Sequence, residues 1–198
     1  MSTLRERRHR GERYAVTEAE TGRPGMLELV CALPREVFEA DARRQGVVAA
    51  LLTLDHSNVL RVRHVGAQAG QLVVITEAPE GPNLFELLAD KTPYDRRTAA
   101  AWRDQIAGAF AAAHEAGLQH DRLRAQDVFI TSEHNVKVAG FGISQLRYDE
   151  DELDIPGFWM LSQAPEELAE RRSRAVMGPE RDRFLVDLLV GEMFAYAR

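Results

Sequence analysis

The chain has 198 residues, 45% hydrophobic and 28% charged, which suits one domain or two small lobes around a shared core and excludes a disordered or collagen-like chain. Its formal net charge of -6 argues against nucleic-acid binding by the protein as a whole. No apolar run approaches the roughly 20 residues of a membrane span, and a lone cysteine, Cys31, excludes an intrachain disulfide and a cysteine-rich zinc site.

In chain order, the start is charged and lacks the apolar stretch of a secretory signal, so a cytoplasmic protein is expected. Arg5, Arg7, Arg8, Arg10 and Arg13 make residues 1–13 a basic arm, expected to be flexible. Met26 to Leu33 reads as a strand stopped by Pro34, and Glu36 to Leu54 as one helix weakened by Gly46. Val59 to Ala67 and Gln71 to Glu77 read as strands joined through Gly70. Asn83 and Glu86 form a capping-box pattern before a short helix. Asp95 can cap a longer helix in which Trp102, Ile106, Phe110 and Ala113 recur at helical spacing, and Gly117 suits its C-terminal turn. Val128 to Ile130 and Val136 to Val138 read as short strands, and a last helix runs from about Arg181 to the end. Strands gather in the first half and helices in the second, an α+β pattern.

Several blocks in this order resemble a protein kinase of the bacterial serine/threonine type. Leu54-Asp-His-Ser-Asn-Val-Leu60 is similar to the loop after the N-lobe helix, and Val73 to Leu84 to the last N-lobe strand and hinge. Gln105 to Leu118 resembles the helix leading into the catalytic loop, and His120 to Ile130 stands where the family writes H-R-D-L-K-P-x-N and a strand. Val136 to Ile143 stands where it writes a strand and D-F-G, Ala164-Pro-Glu166 matches A-P-E, and Arg181 to Leu189 resembles the buried C-lobe helix with its aspartate at Asp182. The resemblance implies a two-lobed fold. A β-rich N-lobe would cover residues 14–80, and a helical C-lobe 81–198 that lacks the family's last helices.

Phosphoryl transfer is nearly all positioning and charge neutralisation, so the matched positions can be checked one by one. The base position of H-R-D holds Arg122, whose guanidinium has no acceptor. The D-F-G aspartate is replaced by Gly140, followed by Phe141 and Gly142, and glycine offers magnesium no side-chain oxygen. Asp127 stands at the loop's asparagine position and could hold a cation alone. The β-strand lysine position falls at Cys31, and no lysine precedes Lys91. Its glutamate partner falls near Val47, and Gly22-Arg-Pro-Gly25 is a poor glycine-rich loop. Arg43 or Arg44 would be the substitutes for the missing lysine charge.

These positions lead to the expectation of a pseudokinase. It would be no enzyme and take no cofactor or metal, and would act as a protein-binding, scaffolding or regulatory subunit. A divergent nucleotide-binding protein or atypical transferase using the same cleft is the alternative. His120, Phe141, Gly142, Glu166 and Asp182 are read as structural remnants of the family's motifs. Residues 184–196 are apolar almost all round, so another protein or a second copy is expected to cover the last helix. Ser144, Tyr148 and Ser162 are hydroxyls open to modification in the segment matching the activation loop.

Overall fold

The computed structural model describes residues 3–8, 11–19, 21–147 and 178–198. Strands β1 (Thr3–Arg8), β2 (Gly11–Thr17), β3 (Pro24–Ala32), β4 (Val62–Gln68) and β5 (Gln71–Glu77) form one antiparallel sheet in the order β1-β2-β3-β5-β4. Leu72, Val73 and Val74 of β5 are buried, as befits a strand with neighbours on both sides. Ala69 and Gly70, both at positive φ, make the tight turn between β4 and β5, and Gly70 carries that conformation without a Cβ penalty.

The reading of residues 1–13 as a flexible arm is corrected here. Thr3–Arg8 is the edge strand of the sheet, and Arg13 lies within β2. Edge strands often carry dense charge, which blocks pairing with other chains, so the arginine-rich composition concealed a strand.

The single helix expected over 36–54 is two helices, α1 (Arg35–Ala40) and α2 (Ala42–Thr53). The break falls at Asp41, not at Gly46. Asp41 is extended and its side chain accepts the Arg44 backbone N–H at 3.0 Å, capping α2. The strand expected from Val59 also starts later. Val59 instead bridges Val138, and the Leu60 N–H donates to the Val138 carbonyl at 2.8 Å.

Below the sheet lie α3 (Leu84–Ala89), opened by the Asn83–Glu86 capping box, and α4 (Arg96–Glu115), capped by Asp95. The α4 stripe of Ala99, Trp102, Ile106, Ala109, Phe110 and Ala113 is buried at the spacing the sequence showed. A 3-10 turn at Ala125–Asp127 leads into the antiparallel pair β6 (Val128–Ile130) and β7 (Val136–Val138). Among the described residues two helices follow, α5 (Ile143–Arg147) and α6 (Pro179–Tyr196); α5 was not among the expected elements.

One hydrophobic cluster joins the layers: Val30 and Leu72 from the sheet, Leu51 from α2, Trp102 and Ile106 from α4, Val128 and Val138 from the small pair, and Phe141 and Met193. Asn58 adds a polar tie between the halves, its Nδ2 donating to the Val136 carbonyl (2.9 Å) and to Gln105 (3.0 Å). No helix among the described residues is long and apolar enough to cross a membrane.

Candidate active site

Helix α6 sets the geometry of the loop that starts at His120. The buried Asp182 carboxylate accepts two backbone N–H groups, from His120 at Oδ2 (2.9 Å) and from Asp121 at Oδ1 (2.6 Å). His114 Nε2 stands 2.8 Å from the same Oδ2. These bonds hold Asp121 at φ 60°, a left-handed conformation uncommon outside glycine.

His120 is buried against Phe110 and Phe141. Its Nε2 lies 2.8 Å from the Ala139 carbonyl, which only accepts, so the proton sits on Nε2. Its Nδ1 has no hydrogen-bond partner. Phe141 meets Phe110 edge-on at 4.9 Å. The Gly142 N–H donates to the Gln119 carbonyl, and a side chain at Gly142 would press on Leu51 at 3.1 Å.

Asp121 is almost wholly enclosed. Its Oδ1 accepts the Gly178 N–H at 2.8 Å, while Oδ2 has no partner. Burial raises its pKa above the ordinary carboxylate value, and the neighbouring Asp182 charge adds to that. The Arg181 Nε donates to the Asp121 carbonyl at 2.8 Å, which adds to the bonds from Asp182 that fasten the loop to the start of α6. Arg122 follows, half-buried.

The cleft between sheet and loop holds a group that the sequence reading missed. Arg13 reaches down from β2 and is only 2% exposed. Its Nε donates to Glu28 of β3 at 2.8 Å, its Nη2 to Asp127 Oδ1 at 2.9 Å, and its Nη1 meets the Gln126 carbonyl at 3.5 Å. Asp127 also accepts the Arg124 N–H at Oδ2 (3.1 Å). Burial alone would lower the Arg13 pKa, but Glu28 and Asp127 outweigh it and push it up, so the guanidinium is permanently charged.

The remaining expected positions are dispersed. Cys31 and Val47 pack against the hydrophobic core, and Glu28, three residues before Cys31, is the β3 residue that meets Arg13. Gly140 stands beside the loop at φ 97°; a Cβ there would lie 3.1 Å from His120 Nε2 and 3.8 Å from Asp127 Oδ1. Gly22 and Gly25 flank the turn between β2 and β3, and Gly25 lets the Thr76 carbonyl approach closely.

Arg43 and Arg44 both bond to α5. They donate to the carbonyls of Gln145 (2.7 Å) and Leu146 (2.9 Å), holding α5 against α2. Ser144 is buried and donates to the His120 carbonyl at 3.1 Å, so its hydroxyl is a packing group. Glu166, Tyr148, Ser162 and the Ala164-Pro-Glu166 block lie outside the described residues.

As donors for a divalent cation, Asp127 and Glu28 are carboxylates, and Gln126 offers a carbonyl. Magnesium is commonly held by one or two carboxylates together with phosphate oxygens and water, but here Arg13 takes both carboxylates, and no cluster of three or more His, Cys, Asp or Glu side chains suited to a metal occurs among the described residues. Gly140 supplies no side-chain oxygen.

A five-stranded antiparallel sheet over a helical lobe, with a loop pinned by a buried aspartate, is the two-lobed kinase fold. The model of the protein kinase domain matches residues 38–196, and the chain belongs to that family. It is 31% identical over 134 residues to serine/threonine-protein kinase PkaA of Streptomyces coelicolor, covering 65% of this chain and 25% of PkaA. CBL-interacting protein kinase 21 of rice is 26% identical over 138 residues, covering 70% of this chain and 26% of that protein. The chain thus spans about a quarter of the length of these curated relatives. The crystal structure of the PknI kinase domain of Mycobacterium tuberculosis superposes with a TM-score of 0.67 at 25% identity, covering 99% of this chain and 74% of that one.

The relatives correct one expectation. They are named protein kinases, PkaA a serine/threonine-protein kinase, so the conclusion that the chain is no enzyme, drawn from Arg122, Gly140 and the missing lysine, does not stand. Substitutions at motif positions do not by themselves remove a member from a family of enzymes.

Proposed function

We propose that this chain is a regulatory, protein-binding domain of the protein kinase family that works in the cytosol, its two lobes meeting near residue 80. One observation carries this reading. On the outer face of α6, Phe184 and Leu188 lie one turn apart and are 42% and 61% exposed. Large apolar groups paired in this way favour contact with another surface over water. Among the described residues of α6, exposed Glu180, Asp187 and Glu192 flank them against one exposed base, Arg183. That rim favours a partner with an apolar centre and a basic border, and disfavours a second copy, which would set acid against acid.

The test is association in the native cell, comparing the wild type with Phe184→Glu and Leu188→Glu. A co-purifying protein lost in both variants, while each stays folded, supports the reading. A wild type that pairs only with itself in light scattering, or with nothing, refutes it.

A second reading, phosphoryl transfer through the cleft, is favoured by the relatives' names. Transfer of label from the terminal phosphate of ATP to casein or to the chain itself would establish it.

A further inference from the structure

We propose that Arg13 is an internal clasp, which holds the β1–β2 hairpin shut over the loop after His120, masks the Asp127 carboxylate from solvent, and must let go before that side of the cleft opens. This rests neither on the partner reading nor on phosphoryl transfer.

The clasp spans the two lobes with one side chain. Arg13 sits in β2, and its guanidinium reaches Glu28 on the neighbouring β3 (2.8 Å), Asp127 across the cleft (2.9 Å) and the Gln126 carbonyl (3.5 Å). A guanidinium is a rigid planar fork, so a single residue can hold groups from sheet and loop together at fixed angles. The Arg13 and Asp127 side chains are 3% and 1% exposed, so Asp127 is sealed from solvent while their bond lasts.

The two sides of the cleft are joined differently. Near the connection between the lobes the ties are main-chain bonds: Leu60 N–H to the Val138 carbonyl (2.8 Å), Val138 N–H to the Asn58 carbonyl (2.8 Å) and Ile130 N–H to the Pro82 carbonyl (2.9 Å). At β2 the tie is a side chain that can swing away. Helix α5 is a separate bridge, held to α2 by Arg43 and Arg44 and to the Val30 carbonyl of β3 by Arg147. It leaves β1 and β2 outboard of β3 in the sheet order β1-β2-β3-β5-β4. The moving part is therefore the hairpin and not the whole sheet.

Charge makes the clasp all-or-none. While it is closed, Glu28 and Asp127 share one cation. Taking away one partner of a buried ion pair leaves an uncompensated charge in a poorly hydrated space, which is strongly unfavourable. Here it would leave two such charges of the same sign. Partial release is disfavoured, so the hairpin is either clasped with all three groups paired or open with all three in water.

The experiment attaches spin labels through Ala19→Cys, just past the end of β2, and Ser132→Cys, in the β6–β7 turn, both exposed positions, in a Cys31→Ala background. Pulsed electron paramagnetic resonance then measures their separation. With Arg13 present, a single narrow distance is expected. Arg13→Met should move at least half of the molecules to a longer distance. In the same variant the amides of residues 122–127 should exchange with deuterium at least tenfold faster, with those of α4 unchanged. Arg13→Lys keeps the charge but holds one carboxylate at a time, and should give an intermediate open fraction. Asp127→Asn leaves Arg13 in place and removes only its partner's charge. It should also open the hairpin, and it carries the test if Arg13→Met does not fold. The two changes together should open it no further than Arg13→Met alone, as two halves of one clasp must. Identical distances in the wild type and a folded Arg13→Met or Asp127→Asn overturn the proposal, as does a wild type already spread over both distances. So does exchange that rises equally in α4 and the loop, which is loss of overall stability and not release of a hairpin.

Discussion

Asp182 on α6 and His120 on the loop are joined by a 2.9 Å bond from the His120 backbone N–H to the Asp182 carboxylate, across 62 residues of sequence. The same carboxylate holds the next N–H, of Asp121, at 2.6 Å. Removing it strands two buried donors, each costing about 1–3 kcal/mol. Asp182→Ala is therefore expected to destabilise the protein by about 2–6 kcal/mol in urea unfolding, by the same addition. A loss below about 1 kcal/mol would mean that water reaches those amides.

Asp121 gives a pH signature. Its folded pKa is raised above the ordinary 3.8 because burial penalises the charged form. The native state therefore keeps this proton to higher pH than the unfolded chain does. The stabilisation is complete below the unfolded value and is lost as pH rises through the folded one. Asp121→Asn should flatten that part of the curve of melting temperature against pH. Parallel curves for wild type and variant would rule out Asp121 as the source.

Gly140 sits at φ 97°, where side chains are strained, and close to His120. Gly140→Ala is expected to cost about 1–3 kcal/mol, the usual penalty for a residue forced into a sparse backbone region. Chemical denaturation measures it directly. A neutral result would show that the backbone here relaxes on substitution.

The capping box at Asn83 offers a smaller and cleaner effect. Asn83 Oδ1 accepts the Glu86 N–H at 3.0 Å, and Glu86 returns a bond to the Asn83 N–H at 2.9 Å. Asn83→Ala should cost about 1 kcal/mol, with Asn83→Ser recovering most of it. Failure of serine to recover stability would assign the loss to packing of the buried Asn83 rather than to capping.

Local regularities were easiest to read before folding. The α4 stripe, the Asn83–Glu86 box and the β6–β7 pair each rest on residues a few positions apart, where periodicity and capping chemistry act. The cleft was harder. Arg13 looked like one more solvated arginine, because nothing in its neighbourhood reveals a partner 114 residues away. Glu28 was within reach, since Met26, Glu28 and Val30 alternate along β3 and both apolar members are buried. Placing the matched position at Cys31 drew attention away from it. The helix break at Asp41 was likewise visible as a capping residue between Ala40 and Ala42, but Gly46 was the more obvious candidate.

Because Arg13 belongs to β2 yet bonds to the loop, the amino-terminal hairpin is mechanically part of the cleft. Trimming the chain to begin at β3, or fusing a reporter ahead of Arg13 so that β2 is displaced, would alter the cleft as surely as a substitution at Asp127. Tags intended as neutral handles are better attached after α6.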